Sequence, residues 1–420
     1  MKEPLENVKI FIHKETAMKK FRRMFVIVMD SVGIGAEPDA DKFFNGDHND
    51  VGSNTWVHVA EKKGGLKVET MNALGIHDLA PIEGTTEVKH PHSYVQTLRE
   101  RSNGKDTLTG HWEMMGIMTS NPLVTFTDTG FPKELMDELS RRTGRKLIGN
   151  YSQSGTVILD ELGEQSIKEG SLIVYTSADS VLQIAANIDV VPLEELYRDC
   201  EIAREITMKK EWRVGRIIAR PFVGTEKGHF KRTTDRRDYA LEPDGNTALD
   251  DLVKNNKEVI AVGKIHDIFA GRGMNESYHI DSNHDGMMKT LDIAKNRDFE
   301  GLCFVNLADF DVLYGHRRNP LGYGDSIEEF DKDLKEILAV LKDDDCLMIT
   351  ADHGNDPTWW GTDHTRERVP LITYSPSYQN GRLIPERDTF GCIGKTVLKN
   401  FSVTPSENEI GDPIDELLED

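Results

Sequence analysis

CLMITADHGNDPTWWGTDHTRERVPL, Cys346–Leu371, decides how this chain is read. The apolar run Cys346–Thr350 has the length and composition of a buried strand. It leads directly into Ala351, Asp352 and His353, and His364 follows eleven residues after His353. A carboxylate and an imidazole just past a strand lie where open α/β sheets bind their ligands, outside the carboxyl ends of the strands.

The pattern recurs along the chain. MFVIVM, Met24–Met29, is followed by Asp30, and LCFVNL, Leu302–Leu307, is followed by Ala308, Asp309, Phe310 and Asp311. LIVYT, Leu172–Thr176, runs into Ser177, Ala178 and Asp179. Val214–Ala219 and Val259–Val262 also read as strands, and Lys133–Thr143, Leu193–Met208 and Asp325–Leu341 as amphipathic helices. Short apolar strands separated by helices predict an α/β fold with a mostly parallel sheet covered on both faces. Residues from about 120 to 240 carry strand and helix signals of their own, as an inserted cap would.

One aspartate after a strand is ordinary, since Asp caps helices and forms turns. Several accompanied by histidines point to chemistry. His316 lies five residues beyond Asp311 in DFDVLYGHRRNP. Carboxylate and imidazole without thiolate suit hard to borderline divalent cations such as Mn, Mg, Zn or Fe. His48, His58, His77 and His229 lack such context and read as structural. GKDTLTGHW, Gly104–Trp112, supplies candidate nucleophiles in Thr107 and Thr109. A bound dication lowers a hydroxyl's pKa, and two dications roughly 3.5–4 Å apart clamp an in-line displacement. Spacing alone leaves the two threonines equal, and leaves open a Thr-rich turn that bonds only the backbone.

Composition narrows the partners. The 420 residues carry 51 basic and 72 acidic side chains, and 51 − 72 = −21 disfavours nucleic acid or an anionic membrane as the main partner. Cys200, Cys303, Cys346 and Cys392 form no CxxC pair, which fits a reducing cytoplasm. No apolar run is long enough to span a bilayer, and the first twenty residues do not read as a secretory signal. Gly33-Ile-Gly35 follows a strand, but Pro38 stands where a dinucleotide fingerprint needs its third glycine. Neither a GxxxxGK[ST] loop nor a GxSxG elbow is present. Asp281–Asp292 approaches a calcium loop, but Lys289 occupies a ligand position and Asp292 replaces the bidentate Glu.

MDSVGIGAEPDA, GKDTLTGHWEMMG, LIVYTSADSVLQIAA, RIIARPFVG, NLADFDVLYGHRRNPLGYG and TADHGNDPTWWGTDHTRERVPL together resemble the phosphopentomutases of the alkaline phosphatase superfamily. TADHG alone marks only the superfamily; GKDTLTGHW with DFD…GHRR…GYG marks the mutase branch. The resemblance runs from about Phe21 to the C-terminal region and implies an alkaline-phosphatase-like α/β core with an inserted α/β cap. The implied core is discontinuous, 21–118 and 241–420, and the implied cap is 119–240. Residues 1–20 extend beyond the family's usual start and read as a disordered or lightly docked arm.

The implied activity interconverts α-D-ribose 1-phosphate and ribose 5-phosphate, and their 2-deoxy equivalents. It runs through a phosphothreonine enzyme and a pentose 1,5-bisphosphate. By motif, Asp30, Thr107, Asp352 and His353 hold one Mn²⁺, and Asp311, His316 and His364 the other. Thr107 matches the phosphorylated nucleophile, with glucose 1,6-bisphosphate or a similar bisphosphate as primer. Arg216, Arg232 and Lys264 match phosphate-contacting positions, and Asp179, with Ser177 nearby, matches a sugar contact. The alternative on the same core is a metal-dependent phosphatase or a phosphoglycerate mutase, though the latter's nucleophile is a serine. The oligomeric state is left open, a monomer being compatible with the sequence.

Overall fold

The run Arg23–Met29 forms a strand at the centre of a seven-stranded sheet, and all seven residues are buried. A strand covered on both faces must be apolar throughout, which is why MFVIVM does not alternate. It comes from a computed structural model that describes residues 21–177 and 180–420. The expected N-terminal arm, 1–20, and the expected sugar contact Asp179 lie outside the described residues.

The sheet order is Glu276–Tyr278, Glu258–Val262, Gly301–Leu307, Arg23–Met29, Asp345–Thr350, Val369–Tyr374 and Ser93–Leu98. The first five strands are parallel. The last two add on antiparallel. Register decides where the chemistry emerges. Met29 pairs with Leu307 and Val28 with Thr350, so Asp30, the segment after Leu307 and the segment after Thr350 leave the same sheet edge side by side. At the opposite end Arg23 forks onto Asp345, with Nε to Oδ1 at 2.7 Å and Nη2 to Oδ2 at 2.6 Å, both groups buried.

A second, six-stranded sheet takes its strands from residues 147 to 240. Its path is Arg237–Ala240, Arg216–Val223, Val181–Asn187, Leu172–Thr176 and Leu147–Ser152, with Lys231–Arg232 beside Arg216–Val223. Its own apolar layers flank it, one built on Leu135, Leu139, Leu196 and Cys200, the other on Ile158, Leu159 and Phe222. The larger sheet has a separate core. The α/β fold with a mostly parallel central sheet is therefore as expected. The calcium-loop-like stretch instead enters the helix Asn283–Asn296, whose cap Ser282 accepts from Asp285 N. Among the described residues no helix is long and apolar enough to cross a membrane.

Candidate active site

Asp30 follows the central strand, Asp311 follows Gly301–Leu307, and Asp352 and His353 follow Asp345–Thr350. His353 Nε2 lies 3.5 Å from Asp30 Oδ1 and 3.4 Å from Asp352 Oδ2. Asp311 sits in the π-helical turn Phe310–Gly315 and His316 just after it. His316 Nε2 is 3.1 Å from Asp311 Oδ2 and 3.0 Å from His364 Nε2. Within Asp30, Asp352 and His353, one potential ligand atom of each lies within 4.8 Å of the others, and the same holds for Asp311, His353 and His364. His353 is thus central to a single contiguous cluster.

Thr107 opens the helix Thr107–Met114, capped by Asp106, and its Oγ1 is 3.2 Å from His353 Nε2. Thr109 is buried, and its hydroxyl donates to Asp106 Oδ2 at 2.6 Å. The geometry therefore separates two threonines that spacing left equal. The helix approaches the sheet very closely: a Cβ on Gly110 would fall 2.1 Å from the carbonyl oxygen of Asp352.

The donors fit a divalent cation. Asp30 Oδ1 and Asp352 Oδ2 are buried without a hydrogen-bond partner. The nearest nitrogen to Asp352 Oδ2, His111 Nδ1 at 3.2 Å, is not aligned for one. An orphaned buried carboxylate oxygen is costly unless a cation meets it. Burial, with Asp352 and Asp311 adding repulsion, pushes Asp30 well above the usual carboxylate range. At Asp311 burial acts upward too, but His364 and His316 outweigh it and hold its carboxyl well below that range. His364 is pushed up to about 10, Asp311 overcoming burial, whereas burial lowers His353.

Supporting residues orient these groups. His353 Nδ1 donates to Gly354 O at 3.0 Å and His316 Nδ1 to Thr362 O at 2.7 Å, leaving each Nε2 lone pair directed inward. Asn306 Nδ2 donates to Asp30 Oδ2 at 2.8 Å, and Asn355 Nδ2 to Asp311 Oδ1 at 2.7 Å. His111 Nδ1 meets Thr107 O at 2.8 Å. Reading the sequence for ligands misses His111, Asn306 and Asn355. A signal existed for the first two: His111 stands at i+4 from Thr107 on a helix, and Asn306 interrupts an apolar strand.

A cleft of about 480 Å³ opens over the cluster. Thr107, Asp311, His316 and His364 line it from the larger layer, with Lys264 and Asp267. Ser180, Val181 and Arg216 line it from the smaller sheet. Ser177 follows Leu172–Thr176, and its carbonyl accepts from Thr127 Oγ1 at 2.9 Å. Arg232 does not line this cleft. Its guanidinium packs over Gly155, at the start of the helix Gly155–Glu169, beside Tyr175 Oη.

The Metalloenzyme superfamily model matches residues 22–405. Phosphopentomutase from Clostridium botulinum (strain Alaska E43 / Type E3) is 54% identical over 401 residues, covering 96% of this chain and 100% of that protein. The chain belongs to the phosphopentomutase family. Phosphopentomutase from Agathobacter rectalis is likewise 54% identical over 401 residues, 96% of this chain and all of that protein. That from Clostridium tetani is 52% identical over 403 residues, with the same coverage. Phosphopentomutases are isomerases that transfer a phosphoryl group, and their superfamily binds divalent metal. This chain is such an enzyme.

Proposed function

We propose that the enzyme interconverts α-D-ribose 1-phosphate and ribose 5-phosphate, and the 2-deoxy pair, through phospho-Thr107 and a pentose 1,5-bisphosphate. The observation that carries this reading is the Thr107 hydroxyl facing His353 beside two orphaned carboxylate oxygens, under a cleft whose walls bear Lys264 and Arg216. In it, Asp30, Asp352, His353 and Thr107 hold one Mn²⁺, and Asp311, His316 and His364 the other. Bound there, the metals supply Lewis-acid stabilisation of charge on the transferring oxygens.

Two dications against three carboxylates leave one net positive charge, which suits a phosphoryl group. The amino end of the helix Thr107–Met114 favours the same anion. Lys264 and Arg216 hold the distal phosphate. The sugar hydroxyl attacks phospho-Thr107, the bond from phosphorus to the threonine oxygen breaks, and the bisphosphate forms. It turns over in the cleft and returns its other phosphoryl group to Thr107, so the sugar leaves with one phosphate. A sugar bisphosphate such as glucose 1,6-bisphosphate primes Thr107 at the outset.

Residues 119–240 act as a cap over a core of 21–118 and 241–420, and the separate apolar packing of the two sheets favours this division. The cap contributes Arg216, Ser177 and Asp179 to the sugar phosphate. Excluding water matters because hydrolysis of phospho-Thr107 would idle the cycle. The four cysteines are free and buried, which favours the cytoplasm.

The test supplies ribose 5-phosphate, Mn²⁺ and the bisphosphate primer, and follows ribose 1-phosphate and phosphothreonine. Isomerisation with phosphate on Thr107 is expected. Folded protein that forms no ribose 1-phosphate sinks the proposal, and steady release of inorganic phosphate in its place assigns a phosphatase.

A further inference from the structure

We infer that Arg318 is the positioning residue of one of the two metal sites, the site of Asp311, His316 and His364, and not of the other. The inference rests on the two-metal reading above.

His316 can leave Nε2 free only while Nδ1 donates to Thr362 O, so the loop bearing that carbonyl must be held in place. Arg318 holds it. Its Nε donates to Gly361 O at 2.7 Å, and its Nη2 to Asp363 O at 2.9 Å and to Trp360 O at 3.3 Å. Four successive carbonyls, 360 to 363, are therefore turned toward Arg318 and the His316 ring, and His364 is the next residue. The remaining nitrogen, Nη1, donates to Gly315 O at 2.9 Å and to Asn355 Oδ1 at 2.5 Å. Asn355 in turn donates to Asp311 Oδ1 at 2.7 Å. One side chain thus reaches all three ligands of this site through one intermediary each.

The backbone shows how firmly it is placed. Arg318 has φ +51°, the left-handed region that non-glycine residues seldom occupy, three residues beyond the end of the π-helical turn. Such strain persists only where the surroundings over-determine it. A guanidinium presents five N–H groups in a fixed fork, and a lysine ammonium presents three on a flexible stem. Lysine cannot span the same carbonyls. By contrast, Asp30 and Asp352 take their polar support from Asn306 Nδ2 and from Ser31 N, and Arg318 bonds neither of those residues.

The experiment titrates the full chain with Mn²⁺, reading free metal by electron paramagnetic resonance. Wild type is expected to bind two ions. Arg318→Gln should weaken one by about 10–100-fold, the range for lost outer-shell partners of metal ligands, and leave the other within about twofold. The weakened ion must be the one that Asp311→Asn also loses. Arg317→Gln, at the exposed neighbour, should change neither. If Arg318→Gln does not fold, Arg318→Lys is read for the same split. Unchanged affinity at both sites, or equal loss at both, overturns the inference. A wild type that binds fewer than two ions overturns the two-metal reading, and this inference with it.

Discussion

At the residue scale the informative contrast is Thr107 against Thr109. Both lie in GKDTLTGHW, and nothing in their spacing ranks them. The difference arises from the helix they open: position 107 faces His353, whereas position 109 bonds back to its own cap, Asp106. Thr107→Ala should abolish both enzyme phosphorylation and turnover. Thr109→Val should still take phosphate on Thr107 but lose about 1.5–3 kcal/mol of stability with its bond to a carboxylate. Mass spectrometry and thermal unfolding of both variants decide it, and phosphate found on Thr107→Ala would transfer the role to Thr109. The strand-end carboxylates and His316, His353 and His364 were legible because each stands in or next to a motif. Asn355 and Arg318 were not, because their roles depend on a loop that returns from forty residues away.

At the element scale, strands buried on both faces announced themselves as continuous apolar runs. Leu172–Thr176 matches its expected bounds, and Arg23–Met29, Glu258–Val262, Gly301–Leu307 and Asp345–Thr350 differ from theirs by one residue. Val214–Ala219 was read early, since the strand spans Arg216–Val223 and continues through Pro221. Ser93–Leu98 and Val369–Tyr374 escaped, because SYVQTL and VPLITY mix polar residues or proline into short antiparallel strands. Gly110 shows what element packing demands. Alanine in a helix interior normally gains about 1 kcal/mol over glycine. Here its Cβ would meet a backbone oxygen at 2.1 Å, and overpacking costs about 1–3 kcal/mol. Gly110→Ala should therefore lower the Tm and weaken Mn²⁺ binding by displacing Asp352. A higher Tm with intact metal affinity would show that the helix has room to shift.

At the scale of the whole molecule, the segment after Phe401 closes the larger layer through a buried carboxyl. Glu409 lies beside Asp251, and Ser406 N donates to Asp251 Oδ2 at 2.6 Å and to Glu409 Oε1 at 3.3 Å. Burial, then the hydrogen bond with Asp251, pushes Glu409 up to about 8 from 4.5. A carboxyl whose folded pKa is raised binds its proton more tightly when folded. Its stabilising contribution is complete below about pH 4.5 and is lost as pH rises through about 8. Wild type should lose Tm between pH 5 and pH 8.5 more steeply than Glu409→Gln, as calorimetry across that range would show; parallel curves would refute it. The topology sets a further condition, one of time. The central strand ends at Met29, yet its two hydrogen-bonding neighbours begin at Gly301 and Asp345. At about 5–20 residues per second, a ribosome needs on the order of 15–55 s to reach the first of them. Throughout that interval MFVIVM has neither of its sheet partners. The six strands of the smaller sheet, all drawn from residues 147 to 240, are complete well before then. The central strand of this enzyme, buried on both faces once folded, is therefore one that the nascent chain must shelter through most of its synthesis.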